Sequence, residues 1–346
     1  MLGRSQISHS KAGTDVRLTT LKDWLACIDA VAGAELTLAS GDASFRRYFR
    51  LHLGSGSFIV MDAPPPHEDC LPFIQIAGHF EAMQLNAPRV IDASPEDGFL
   101  LLTDLGTTQY LERLDSAPES ATRLYADALH ALLLMQDRGR AFQSALPAYD
   151  NELLQFELSL FHDWLCEKHL GIEFSEADEK SWQSVCNLLA NNALDQPQVF
   201  VHRDYHSRNL MVTAEDNPGI LDFQDAVEGP LTYDLVSLLK DCYVRWPAEQ
   251  VRGWASDFYT KLDEPTCAQI GSEEFMRYFD LMGAQRHLKA AGIFARLKHR
   301  DGKPGFMADV PRTLHYVAEL GPQYNELDFL VRLIGERCLP ALQGTT

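Results

Sequence analysis

The sequence predicts an α+β fold in two lobes, a small β-rich N-lobe followed by a larger helical C-lobe. Three observations carry that prediction. A chain of 346 residues is longer than one hydrophobic core usually serves. Strand-like alternation is concentrated in the N-terminal third. Beyond Gly106 the apolar spacing is almost wholly helical, interrupted by one β island from Val199 to Phe223.

The elements follow in order. Residues 1–17 lack periodicity and are expected to form a disordered leader. The N-lobe, 18–104, opens with Leu18, Leu21, Trp24, Leu25 and Ile28 at the 3.6 period of an amphipathic helix. A small-residue loop, Ser40 to Ser44, leads into a strand from Phe45 to Leu53. The turn Gly54-Ser55-Gly56 and a second strand, Phe58 to Met61, complete a hairpin. Pro64 to Pro66 end it, because proline cannot donate to a ladder. A helix is expected from about Cys70 to Gln84, then a short apolar strand, Phe99 to Leu102. The lobes meet near Asp104. The C-lobe, 105–346, carries helices over Ala121–Met135, Asn151–His169 and Glu176–Ala193, and again from Thr232 onward.

Charge narrows the function. Thirty basic residues stand against 49 acidic ones, a formal net charge of −19. Such a surface repels phosphate backbones and anionic lipid headgroups, so a small molecule is the expected partner, not nucleic acid or membrane. No obligate protein partner is evident. The seven cysteines are scattered, odd in number and without a CxxC pair. That usage fits reduced thiols and a cytoplasmic location. No apolar run approaches the roughly 18 residues of a membrane span.

The β island carries the chemistry. Within it, His202-Arg-Asp204 is followed by Asn209, and Ile220-Leu-Asp222-Phe comes shortly after. If Leu210–Val212 and Gly219–Leu221 pair as a hairpin, Leu210 lies opposite Asp222. Asn209 and Asp222 then share one end of the ribbon, beside the loop bearing Asp204. Phosphoryl transfer needs such a set: a carboxylate to receive the acceptor's proton and hard oxygen ligands for Mg²⁺ on the nucleotide phosphates. Asp204 is read as the catalytic base or positioner, with Asn209 and Asp222 as metal ligands and ATP as the phosphoryl donor. Each residue alone is an ordinary turn former; the ordered set is far harder to produce by chance. His202 is read as a structural support of the loop. The His202-x-x-x-His206 spacing does not suggest zinc, because Arg203 stands where a zinc helix carries Glu. Asp225 either touches substrate or a second metal, or caps the next segment.

These motifs match the general kinase catalytic loop, H-R-D-x-x-x-x-N followed by D-F, with Asp222-Phe-Gln224 in place of D-F-G. The chain resembles the aminoglycoside phosphotransferase family, which shares the protein-kinase-like fold and phosphorylates small molecules. Gly229-Pro-Leu-Thr-Tyr-Asp-Leu235 resembles a family segment whose Asp, here Asp234, buttresses the catalytic loop. Further segments are closer to the bacterial anomeric kinases of N-acetylmuramate and N-acetylglucosamine: Gly41 to Arg50, Val60 to Pro65, Phe99 to Gly106, and Gln285 to Arg296. The resemblance implies transfer of the ATP γ-phosphate to a sugar C1 hydroxyl in cell-wall recycling. It leaves the preferred sugar and anomer open. Another small-alcohol kinase, or a nucleotide-binding regulator without catalysis, remains an alternative.

One departure is informative. A kinase N-lobe carries a strand lysine for the nucleotide phosphates, but Met61 stands there, and no lysine occurs between Lys22 and Lys168. An arginine from the neighbouring strand is the expected substitute, Arg46 or Arg47. Alternation puts Arg46 and Arg50 on one face and Arg47 on the other, without saying which looks inward. Nucleotide contacts are also expected at Leu102 and Asp104, adenine meeting the backbone there. In the helix Gln285 to Arg296, Arg286 and Lys289 are candidates for a carboxylated sugar such as muramate.

Overall fold

A computed structural model describes residues 15–31, 33–41, 45–54 and 56–344. Most of the expected leader, Asp42 to Ser44 of the small-residue loop and Ser55 of the turn lie outside them. The chain divides into two compact units. One is Met1–Ile74 with Arg89–Asp104, the other Gln75–Pro88 with Leu105–Thr346. From sequence, the lobe junction is expected near Asp104, with 75–88 counted in the N-lobe.

The smaller unit opens with helix α1 (Val16–Ala26), capped by the Asp15 carboxylate, which accepts the Leu18 N–H at 3.0 Å. Val16 and Arg17, counted with the expected leader, therefore belong to α1. Strands β1 (Glu35–Gly41), β2 (Arg47–Leu53) and β3 (Gly56–Asp62) come next. Helix α2 (Leu71–Ala82) follows and crosses the division at Gln75; strands β4 (Val90–Ser94) and β5 (Phe99–Thr103) complete the unit. The antiparallel sheet has the order β1-β2-β3-β5-β4. Alternate residues Phe49, Leu51, Val60, Phe99 and Leu101 pack with Leu21 and Leu25 of α1 in one core, as the period of two requires. Arg47 lies two residues before Phe49 and so shares the α1 face. There the fully buried Asp62 accepts Arg17 Nε at 2.5 Å and Arg47 Nη2 at 2.6 Å.

In the larger unit α3 (Tyr110–Ser116), α4 (Ala121–Gly139), α5 (Asn151–Leu160) and α6 (Glu176–Leu194) precede the β island. Helix α5 runs on as a π-helical stretch, Phe161–His169. Asp150 caps α5, and Ser175 with Asp178 forms a capping box on α6. The island holds β6 (Gln198–Val201), β7 (Leu210–Met211), β8 (Gly219–Ile220) and β9 (Val227–Pro230). Helices α7 (Tyr233–Leu239), α8 (Ala248–Tyr259), α9 (Glu264–Gln269), α10 (Ser272–Asp301), α11 (Val310–Ala318), α12 (Asp328–Arg332) and α13 (Leu339–Gly344) follow. The 30-residue α10 is the central pillar, buried along most of its length and packed on α5, α6, α7 and α11. No helix among the described residues is long and apolar enough to cross a membrane.

The island corrects one expectation. Leu210 pairs with Ile220, not Asp222, and Met211 pairs with Gly219. Thr213 N–H donates to the Asn217 side chain at 3.1 Å, closing the loop early. Asp222, at φ 63°, has left strand geometry and cannot continue a ladder.

Candidate active site

The loop from His202 to Asn209 joins β6 to β7 and hangs on Asp234, fully buried near the start of α7. The Asp234 carboxylate accepts the backbone N–H of His202 at 2.6 Å and of Arg203 at 3.0 Å. Arg203 sits at φ 77°, a left-handed conformation that a non-glycine residue keeps only when its surroundings enforce it. The buried His202 ring accepts the Asp204 N–H on Nδ1 at 3.2 Å. Asn209 then closes the loop: its Nδ2 donates to the Asp204 carbonyl at 3.0 Å and to Asp222 Oδ2 at 3.2 Å. Leu221 N–H donates to the Asn209 carbonyl at 2.9 Å, and Gln224 Nε2 to Asp222 Oδ1 at 2.9 Å. Asp204, Asn209 and Asp222 are therefore brought together as expected, by side-chain bonds more than by ladder register.

Burial sets the electrostatics. It pushes Asp234 up to about 7, against two N–H donors that favour its charged form. It pushes His202 down to about 4, so that the ring stays neutral as an acceptor. Burial also acts to raise Asp204, but Lys289, then His206 and Arg286, outweigh it and hold that carboxyl below its usual range.

Behind the loop lies a network that sequence reasoning missed. The carboxylate of buried Glu157, on α5, pairs through Oε1 with Arg203 Nη2 at 2.5 Å and Lys289 Nζ at 2.9 Å. Its other oxygen accepts from Tyr149 Oη and, at 3.1 Å, from Gln285 Nε2. Lys289 Nζ also donates to Tyr233 Oη at 2.8 Å. Burial opposes ionisation of Glu157, yet Lys289 and Arg203 hold it below the ordinary glutamate value. In sequence Glu157 is one acidic residue on an amphipathic helix, with no spacing that singles it out. The available signal was Arg203 itself, a cation inside an apolar strand–loop run.

Other expected site residues land differently. Arg47 is committed to Asp62 and to Asp15, the latter at 2.5 Å from Nη1. It therefore cannot serve the phosphates. Arg46 lies off the α1 face and pairs through Nε with Glu68 at 3.0 Å. Leu102 is inside β5, between Ile59 of β3 and Val90 of β4. Its peptide groups face neighbouring strands, and Thr103 N–H is taken by Arg89, so adenine contacts are not available at Leu102. The Asp104 carboxylate holds Arg50 Nε and Ser57 Oγ, each at 2.6 Å, which leaves the expected adenine contact, one made by the backbone there, as an expectation. Lys289 is neutralised by Glu157, which removes it as a carboxylate binder. Arg286 is 6% exposed, and its charge helps to hold Asp204 ionised. Asp225 is exposed, near Gln224 Nε2 at 3.4 Å.

Asn209 spends its amide N–H groups on Asp204 and Asp222, which leaves its amide oxygen as an acceptor next to a carboxylate. Hard oxygen donors on adjacent side chains fit Mg²⁺, and the arrangement can serve phosphoryl transfer beside the Asp204 carboxylate.

Comparison with known proteins agrees with this geometry. The phosphotransferase enzyme family matches residues 35–268. A Pseudomonas aeruginosa protein named N-acetylmuramate/N-acetylglucosamine kinase is 46% identical over 334 residues, covering 92% of this chain and 96% of that one. A protein of the same name from Neisseria meningitidis is 40% identical, covering 92% and 97%. Among solved structures, a choline/ethanolamine kinase family protein from Mesorhizobium loti superposes with a TM-score of 0.60 at 16% identity, over 95% of this chain and 99% of that one. An ADP-bound aminoglycoside phosphotransferase does so at 0.55 and 15%, over 86% and 97%. With its kinase-like fold and a match over more than half its length, the chain belongs to the phosphotransferase enzyme family.

Proposed function

We propose that this phosphotransferase moves the γ-phosphate of ATP to the C1 hydroxyl of an N-acetyl amino sugar, N-acetylmuramate or N-acetylglucosamine, in the cytoplasmic recycling of cell-wall sugars. The observation that carries the proposal is the convergence of Asp204, Asn209 and Asp222 on one loop, in a chain that matches two so-named kinases over nearly their full length.

In this reading Asp204 accepts the proton of the acceptor hydroxyl, whose oxygen bonds to the γ-phosphorus. The bond from that phosphorus to the β-bridging oxygen breaks, and ADP leaves with the electron pair. Because Asp204 is held in its charged form, it is ready to receive the proton at neutral pH. Asn209 and Asp222 would hold Mg²⁺, which when bound neutralises phosphate charge. Asp234 and His202 keep Asp204 at its post without touching the reacting atoms. In the smaller unit Arg46, already oriented by Glu68, takes the role of the missing strand lysine; Lys–Glu pairing serves that role in protein kinases.

The test is Mg²⁺-dependent ADP release with N-acetylmuramate, N-acetylglucosamine, kanamycin and choline, with Asp204→Ala as control. Turnover of an amino sugar, reduced about 10²- to 10⁴-fold in the control, supports the reading. Turnover of kanamycin or choline alone overturns the substrate assignment, and turnover that survives in Asp204→Ala removes Asp204 from the chemistry.

A further inference from the structure

The strip Asp241-Cys242-Tyr243, just past α7, lies against the catalytic loop. Asp241 accepts the Ser207 N–H at 3.0 Å, and the rings of Tyr243 and His206 lie 5.5 Å apart. Three arginines converge on this strip. Arg312 donates to the carbonyls of Cys242 and Tyr243 at 3.0 and 2.9 Å, and it is balanced by Asp309 at 3.2 Å. The other two make no close ion pair, although the charges of Asp204 and Asp241 act on Arg286 and that of Asp309 on Arg208 from farther off. Arg286 meets the strip through Nη1 and Cys242 Sγ at 3.8 Å, and its buried Nε has no hydrogen-bond partner. The Arg208 guanidinium stacks on Tyr243 at 3.8 Å and faces Phe306 at 5.7 Å. Among the described residues, no carboxylate lies within ion-pair distance of Arg286 or Arg208.

A guanidinium that is nine-tenths buried with no carboxylate bonded to it is costly, since a buried charge is best tolerated when paired and hydrogen-bonded. The contrast with Lys289 and Lys240 is direct. Those buried cations hold Glu157 and Asp280 at 2.9 and 2.8 Å. In a chain of net charge −19, carboxylates are not scarce, so two unpaired arginines beside one loop mark a place kept for an anion from outside.

We infer that Arg286 and Arg208, on the Cys242–Tyr243 strip, form a carboxylate-binding corner for the acceptor, receiving the lactyl carboxylate of a muramate-type sugar. This inference rests on the proposed function and deepens it. The strip that Arg286 meets is bonded to the loop of Asp204 through Asp241 and the Ser207 N–H, so an anion held there lies on the acceptor's side of that loop. A planar guanidinium binds a carboxylate bidentately, and the Tyr243 face holds a second one oriented for it. The corner would separate acceptors by charge: an acid would gain both contacts, and a neutral amino sugar would gain neither.

The test is calorimetric binding of N-acetylmuramate and of its methyl ester to the full chain, for wild type, Arg286→Met and Arg208→Gln. Wild type is expected to prefer the acid about tenfold or more, as a charge-assisted pair predicts, with that preference largely lost in both variants. Arg208 is part-exposed, so Arg208→Gln decides should Arg286→Met fail to fold. Equal binding of acid and ester by wild type, or no binding of the acid, overturns the corner. So does a variant that keeps the preference and instead raises the KM for ATP, which would assign the arginines to the nucleotide. If wild type phosphorylates neither sugar yet prefers the acid through these arginines, the proposed function falls and the corner stands.

Discussion

The carboxylate of Asp234 bridges the backbone N–H groups of His202 and Arg203, at 2.6 and 3.0 Å, and so suspends the catalytic loop from α7. Each oxygen serves one donor. In Asp234→Asn only one oxygen remains, and the amide NH₂ faces the other N–H. A buried donor left unsatisfied costs about 1–3 kcal/mol. We expect kcat to fall about tenfold or more because Asp204 shifts by a fraction of an ångström, with little change in the KM for ATP. Equal kcat in the two proteins would separate the clamp from catalysis.

Glu157 neutralises Arg203 and Lys289 together. Glu157→Gln leaves two buried cations sharing a neutral amide, and breaking a buried pair in this way costs about 3–5 kcal/mol. Urea unfolding should register that loss, with the midpoint falling and the slope unchanged. Glu157→Asp, which keeps the charge, should recover part of it. A Glu157→Gln protein as stable as wild type would mean that the cations find water or another anion.

Arg46 and Arg47 are neighbours in sequence with opposite duties. Arg47→Ala removes one of two arginines on the fully buried Asp62, so its effect should be on stability, with the KM for ATP near the wild-type value. Arg46→Ala should do the reverse and raise the KM for ATP about tenfold or more, as expected for a lost phosphate contact. The comparison is made on one preparation of each, by thermal unfolding and by ATP titration of the kinase assay. Swapped results would refute the assignment.

These arginines also mark where the sequence was legible. Alternation separated Arg46 from Arg47 correctly, but only α1 docking through Leu21 and Leu25 decides which face is structural, and that docking is a tertiary fact. The loop His202 to Asn209 and its partners Asp222 and Asp234 were readable because the chemistry fixes residue types at short spacing. Glu157 was not, since its partners Arg203, Lys289 and Gln285 come from distant segments of the chain. The strand register failed for a local reason: the Asn217 side chain holds Thr213 N–H and ends the ladder early. Leu102 looked like a linker residue because the sequence shows β3 and β5 but not β4, the strand on the other side of β5.

His202 gives a pH signature. Its folded pKa, about 4, lies below the ordinary 6.5. Between those values the unfolded chain binds a proton that the folded one excludes. Stability from this group is therefore complete above 6.5 and is lost as pH falls through 4. The raised Asp234 acts with the opposite sign, gaining stability as pH falls from about 7, so wild type must be compared with a variant. His202→Gln should subtract up to about 1.4 kcal/mol per pH unit from the slope of stability against pH between 6.5 and 4.5, leaving the opposite slope of Asp234 exposed. Parallel curves from urea unfolding would mean that the ring is not buried neutral.

Gly292 tests the central pillar. A Cβ built there would lie 2.3 Å from the carbonyl carbon of Leu160 and 2.5 Å from the Phe161 nitrogen. Both are backbone atoms at the point where α5 passes into its π-helical stretch, so no flexible side chain can yield. Relief requires α10 and α5 to separate, which opens the core around Leu158, Phe161, Leu288 and Ala291. Overpacking of this kind typically costs about 1–3 kcal/mol. Because Lys289 on α10 and Glu157 on α5 bond across the same contact, separation should also loosen the loop behind Asp204. Gly292→Ala is expected to lower both Tm and kcat, whereas Gly253→Ala on α8, where a Cβ meets nothing within 4 Å, should lower neither. A Gly292→Ala protein with wild-type Tm would show that the two helices are not locked at this contact.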